Sequence, residues 1–364
     1  MQQGIRRADR TGIHGERSSE DLGDTGRYSV PANMPDRNTL RTTNMSKFRL
    51  FSDPYELGPG RCAQIWTVDI TTGETSLLHT SFDVHLEAPN WALDGKTLIL
   101  SGNGKFWSID AVGGDLKAIP VDDLPPVTND HVLEADGRTL LVTALDGQIY
   151  RVPLTGGTAV PVTRAPDLSH FLHGISPDQM SLAYVEFPFP DFSRPSELVV
   201  MSVDGTDRRV LATGEGHCDG PEFTPDGEWI LLNSEAFSDV PGHAQIARIR
   251  PDGSGFERLV ESERVDWFPH ISPDGELASY LSYPEGTLGH PADLPVVIKV
   301  VRTSDWSRPF MEIDLFGGQG TINVNSWDPT GTKFAFVAFP TDPSGEPISR
   351  LYDSSRQPDP APSK

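Results

Sequence analysis

Histidines and carboxylates recur in this chain at one place in a repeated phrase, and their types suit proton transfer or metal ligation. Among the ten histidines, His85, His131, His173, His217 and His270 lie within nine residues before a tight turn, as does His170, always on the same side of it. Aligned on that turn, six segments present His85, Glu87 and Asn90; then Asn129, Asp130 and His131; then His170 and His173; then His217, Asp219 and Glu222; then Asp266, Trp267 and His270; then Gln319, Asn323 and Asn325. Imidazole titrates near neutral pH, so it can take up or release a proton there. A carboxyl group beside it can act as the complementary acid or base.

Parity along the chain sharpens that set. Side chains two apart on a strand share a face. His131, His173 and Asn325 stand five residues before the turn residue, and Glu87, Asn129, Asp219 and Asn323 stand seven before it. This expects His131, His173 and Asp219, from consecutive repeats, to converge on one divalent metal such as Mn, Zn or Fe. Glu222 and His270 stand four before the turn, where they would face the neighbouring repeat. The acid–base candidates are therefore His131, His173, Glu87, Asp219, Glu222 and His270. The ligand-binding candidates are Asn90, Asn129, Asp130, His170, Trp267, His290, Gln319 and Asn323. The alternative is a hydrated channel lined by polar groups that do no chemistry.

The elements that must position these residues come from the repeat itself. An apolar stretch, a Pro-Asp-Gly-like turn and a second apolar stretch return six times, with turn residues Asp94, Asp136, Asp178, Asp226, Asp274 and Thr330. Their spacings are 42, 42, 48, 48 and 56 residues, and periods of this size with β-type composition mean propeller blades. Asp-Gly supplies the positive φ of a tight hairpin, and Pro ahead of it pre-sets the bend. A second hairpin follows each turn, which makes four strands per repeat. The chain enters on an outer hairpin (Gln64 to His79) and leaves on an inner one (Ile322 to Phe339), so the two halves should close the ring as one composite blade. The expectation is an all-β, six-bladed propeller over residues 45–342. A seventh blade would need Phe48 to Phe51 and the tail after Thr341 to add strands.

Residues 1–44 lack hydrophobic periodicity and read as disordered. Met45, where the first strand-like run begins, reads as an alternative start. Residues 343–364, rich in Pro and Ser, read as a flexible tail. No apolar stretch resembles a secretory signal or a membrane span, which expects a cytoplasmic protein without a membrane partner. A net charge of −22 argues against nucleic acid. Cys62 and Cys218 are too few for a disulfide framework. No Gly-x-Ser-x-Gly elbow, His-Glu-x-x-His, P-loop or dinucleotide fingerprint occurs, and the Asp-Gly turns lack the glutamate that ends a calcium loop. Two irregular inserts remain. Leu281 to Pro295 could bring His290 over the rim as a lid, and Phe187 to Pro195 carries Phe187, Phe189 and Phe192, which suit stacking on a sugar ring. Either could instead pack between blades.

The turn phrases, with Glu87-Ala88-Pro89-Asn90-Trp91, Asp219-Gly220-Pro221-Glu222, Trp267-Phe268-Pro269-His270 and Phe316-Gly317-Gly318-Gln319-Gly320, resemble TolB-type propeller repeats from about Phe48 to Pro340. The resemblance implies a propeller whose channel face can hold a site. Periplasmic TolB is exported and has a further N-terminal domain, and neither feature is read here, so its transport role is not implied. Oligogalacturonate lyases share this repeat type and build a metal site on the same face, but their ligands do not map residue by residue onto this sequence. Two functions follow. One is a small-molecule enzyme, a lyase or hydrolase acting on a sugar at the rim with a metal or His131 and His173. The other is a non-enzymatic propeller that binds a protein or a small ligand.

Overall fold

The computed structural model describes residues 57–58, 60–188 and 194–352. The segment 1–44, the run Phe48 to Phe51, and Phe189 and Phe192 lie outside the described residues.

Five sheets are built from consecutive antiparallel strands. The first blade is Leu86–Trp91, Thr97–Gly102, Lys105–Asp110 and Lys117–Ile119; the second is Val127–Leu133, Thr139–Ala144, Ile149–Pro153 and Val160–Pro161. The third is Leu168–Ile175, Ser181–Pro188, Glu197–Ser202 and Arg209–Leu211; the fourth is Cys218–Phe223, Ile230–Ser234, Gln245–Ile249 and Glu257–Arg258. The fifth is Val265–Ile271, Leu277–Tyr283, Leu294–Arg302 and Met311–Gly317. In the sixth, Lys333–Ala338 from the end of the chain pairs with Ala63–Asp69 from its beginning, and Thr75–Ser81 lies outside. This is the expected composite closure. Its innermost strand is reduced to a single bridge between Trp327 and Phe334. Within the segment expected to be a loose tail, Ile348–Leu351 pairs with Met311–Gly317 as a fifth strand of the fifth blade.

The turn chemistry does what the residues dictate. Gly95, Gly137, Gly227, Gly275 and Gly331 all take positive φ, and Gln179 takes φ 61 where the third turn lacks glycine. In the first five turns the preceding Asp caps the hairpin, as where Asp94 Oδ1 accepts from the Lys96 and Thr97 amides and Asp136 Oδ1 from those of Arg138 and Thr139, and in the sixth Asp328 Oδ1 accepts from the Thr332 and Lys333 amides.

Six apolar clusters hold the ring, one at each blade-to-blade interface. Trp66, Phe334 and Phe336 of the sixth blade pack on Val265, Ile298 and Ile313 of the fifth, and Ala335 and Val337 pack on Leu86, Leu98 and Leu100 of the first. The other four junctions follow in order around the ring. The innermost strands thus have their walls fixed on both sides, and what varies along them is where each polar side chain points.

Candidate functional site

The innermost strands of the first five blades are all irregular at the candidate positions. The register shifts between Glu87 and Asn90, Val127 and His131, Leu172 and Gly174, Asp219 and Glu222, and Trp267 and His270. Bulges insert an unpaired residue and re-aim the side chains beside it. In three blades the bulge residue is left-handed: Ala88 at φ 51, Gly220 at φ 62 and Phe268 at φ 53. Each precedes a proline, Pro89, Pro221 or Pro269, which has no N–H to give the ladder. Positive φ on a bulky residue such as Phe268 is strained backbone, which the surrounding packing must hold in place.

The bulges bring one group of side chains around a cavity of about 50 Å³ at the channel mouth. Its centre is His173. Nε2 of that ring lies 3.2 Å from Asp219 Oδ1 and 3.7 Å from Asp130 Oδ1, and Nδ1 is 3.1 Å from the Asn323 carbonyl. Each polar partner of its two nitrogens is an acceptor. Burial works against its charged form, but Asp130 and Asp219 outweigh it and raise the pKa to about 9. Burial, opposed by His173 and reinforced by Asp219, lifts the Asp130 carboxyl to about 6. Burial also acts on Asp219, but the hydrogen bond and charge of His173 hold its carboxyl below the usual range.

Glu87 faces the same cavity in a different state. Burial lifts its carboxyl to about 8, against the hydrogen bond from Asn129 Nδ2 at 3.1 Å and with Asp130 adding to the rise. The burial is specific. Gly320, at φ 89, lies so close that a Cβ there would meet Glu87 Oε1 at 2.7 Å, and its carbonyl accepts from the Ala88 amide. Gln319 and Asn323 complete a neutral amide cluster with Asn129.

His290, on the irregular 284–293 segment, closes the cavity. Its Nδ1 meets Gln319 Oε1, its Nε2 lies 3.7 Å from Asp219 Oδ2, and its ring packs on Trp267 and Phe268 at 4.4 and 5.1 Å. Burial keeps its pKa below the usual histidine value. His290 thus lines the cavity, on the segment where a lid was expected. Phe187 lines the cavity too, with Phe171 and Phe268.

Other sequence-predicted residues are placed elsewhere. His131 is fully buried, its Nδ1 3.2 Å from the Asn129 carbonyl and its ring edge-on to Phe106, and burial drops its pKa to about 4. It does not join His173 and Asp219. Among the described residues no group of three or more His, Cys, Asp or Glu is arranged to hold a metal ion. Both nitrogens of His173 already face internal acceptors, so the expected His131–His173–Asp219 set does not fit a metal centre. The equal-parity argument fails here because the bulges break the two-residue alternation.

Glu222 and His270 form a separate tie between blades. His270 Nδ1 is 2.7 Å from Glu222 Oε2, and its Nε2 meets the Ile322 carbonyl. Glu222 Oε1 accepts from the Ile271 amide and Asn325 Nδ2, and Asn90 Nδ2 donates to the Asn325 carbonyl. His170 is tied to the Gly147 carbonyl at 2.6 Å and packs on Tyr184. Trp267 supports His290 from behind. Thr128, Phe171 and Phe268 line the cavity unforeseen as site residues. The proline after Phe268 was the sequence signal for the bulge that turns it inward.

No family model matches the chain. An uncharacterized protein of Agrobacterium fabrum is 37% identical over 259 residues, spanning 70% of this chain and 84% of that protein. A stretch of 136 residues is 29% identical to a TolB homolog of Chlorobium luteolum, 37% of this chain and 28% of that protein. A solved structure from Agrobacterium tumefaciens, provisionally assigned as TolB, is 33% identical, with a TM-score of 0.68 over 77% of this chain and 98% of its own. At this identity and coverage the chain belongs to the TolB-like β-propeller family.

Proposed function

We propose that the channel-mouth cavity is a carbohydrate site at which Glu87 donates a proton and Asp219 accepts one. The observation that carries this reading is the opposite tuning of the two carboxyls on one cavity: Glu87 lifted to about 8 and Asp219 held low by His173. Paired carboxyls pushed apart in this way divide into an acid and a base near neutral pH. Aromatic faces beside amides and carboxylates suit a sugar, whose ring has an apolar face and a hydroxylated edge. His173 is the positioning residue that keeps Asp219 ionised. Glycosidic bond cleavage, by hydrolysis or elimination, is the chemistry such a pair serves. No metal step is part of this reading, because the donor set does not fit one.

The cavity of about 50 Å³ has room for a few waters and not for a sugar ring. Binding on this reading requires the cavity to widen, and movement of the 284–293 segment, which would break the contacts of His290 with Gln319 and Asp219, is the route proposed. The test is incubation of the intact protein with neutral, amine-bearing and acidic trisaccharides, following new reducing ends or unsaturated products and, separately, binding by calorimetry. Turnover by wild type that falls by about a hundredfold or more in a folded Glu87→Gln variant supports the assignment. Undiminished turnover in Glu87→Gln overturns it. Binding without turnover in wild type makes this a carbohydrate-binding propeller, the non-enzymatic alternative.

A further inference from the structure

Three carboxyl groups line the cavity, Glu87, Asp130 and Asp219, with three imidazoles, of which His173 is shared by Asp130 and Asp219 and His290 lies 3.7 Å from Asp219. Among the described residues no lysine or arginine lines it. A second observation is independent of the carboxyls. His85 also lines the cavity and is only 9% exposed, yet its Nδ1 has no hydrogen-bond partner. Buried polar atoms are almost always paired, so an unpaired one on a cavity wall marks a place that a ligand would complete.

We infer that the ligand of this cavity carries a protonated amine and no carboxylate, an inference that rests on the reading of the cavity as a carbohydrate site. With His173 placed between them, Asp130 and Asp219 together hold one negative charge more than the imidazole can balance. An unbalanced buried charge is costly, and a ligand ammonium removes the imbalance whereas a ligand carboxylate doubles it. An ammonium brings three donors and no acceptor, which matches a wall of carboxylate and amide oxygens. The faces of Phe171, Phe187 and Phe268 add the attraction of aromatic rings for a cation. A chain of net charge −22 also concentrates cations near its surface and repels anions. The sugar is then an amino sugar with its amine free.

The experiment is calorimetric titration of the full chain with three probes of equal length: a fully deacetylated chitosan trimer, cellotriose and trigalacturonate. The expected result is a chitosan trimer bound about tenfold or more tighter than cellotriose, the worth of one charge-assisted hydrogen bond, with no detectable trigalacturonate binding. Cellotriose binding as tightly as the chitosan trimer, or trigalacturonate binding as tightly or tighter, overturns the inference and leaves the carbohydrate site standing. Failure of all three to bind overturns the site itself. Asp219→Asn should lower the ratio of chitosan to cellotriose affinity, and an unchanged ratio would put the amine elsewhere. If Asp219→Asn does not fold, Asp130→Asn reads the same ratio.

Discussion

The two His–carboxylate pairs of the innermost strands use the same residue types to opposite ends. At the Glu222–His270 tie, His270 meets Glu222 and the Ile322 carbonyl, and Glu222 accepts in addition from the Ile271 amide and Asn325. Nearly every polar atom there is answered by a neighbouring blade. At the cavity, His173 is shared by Asp130 and Asp219, Glu87 keeps its proton, and His85 has a ring nitrogen unanswered. A histidine beside an acid is thus no sign of chemistry in itself. What distinguishes the pairs is whether protein groups exhaust the hydrogen-bonding capacity or leave part of it facing open space. The tie lies four residues before the turn, toward the next blade, while Glu87 and Asp219 lie seven before it, at the mouth.

The comparison breaks first at the tie if it is wrong. Glu222→Ala strands His270 Nδ1 and the Ile271 amide in the interior and takes one of the two acceptors of Asn325 Nδ2. Each buried group left without its partner costs about 1–3 kcal/mol, so urea unfolding should move strongly to lower denaturant. A loss under about 1 kcal/mol would mean that the tie is dispensable. Asp219→Asn should behave in the opposite way. It keeps the shape and removes one of two competing carboxylates, so stability should change by about 1 kcal/mol or less while trisaccharide binding drops. A large destabilisation with binding intact would reverse the two roles.

A smaller effect separates the pairs by pH. Glu87 is lifted from its ordinary 4.5 to about 8, so the folded chain holds a proton that the unfolded chain has lost between those values. Stability therefore falls as pH rises through that window. His173, raised from 6.5 to about 9, works in the same direction: its contribution is complete below 6.5 and is lost as pH climbs toward 9. Urea midpoints should decline from pH 6.5 to 9, and Glu87→Gln should flatten the part of that decline below pH 8. An identical slope in the variant would place the titrating group elsewhere.

The ring was legible because its signals are local and repeated. A Pro-Asp-Gly turn has one backbone solution, and six turns at propeller spacing leave little freedom, so even the composite blade follows from where the strand-like runs begin and end. The candidate site was legible only in part. Glu87, Asp130, His173, Asp219, His290, Gln319 and Asn323 were all marked and do meet. Their grouping was not, because alternation by two assumes regular strands and the innermost strand of each of the first five blades bulges at these positions. Pro89, Pro221 and Pro269, each in a strand interior, were the signal that regularity fails there. Nothing local told that His131 would turn back on its own Asn129 carbonyl, since that depends on Phe106 of the preceding blade.

His131 gives the smallest effect and the sharpest check on that misgrouping. Its Nδ1 faces the Asn129 carbonyl, which can only accept, so the ring proton is on Nδ1 and Nε2 is a bare acceptor with no donor. Leucine has similar bulk and suits the contact with Phe106. His131→Leu gives up one modest hydrogen bond and removes one unsatisfied buried atom, two terms of about 1 kcal/mol and opposite sign. Its stability should stay within about 1 kcal/mol of wild type, and its affinity for any trisaccharide should be unchanged. If calorimetry instead found binding lost in a folded His131→Leu protein, His131 would belong with His173 and Asp219 after all. The division between a cavity that acts and an interior that only holds would then have to be drawn one blade further round the ring.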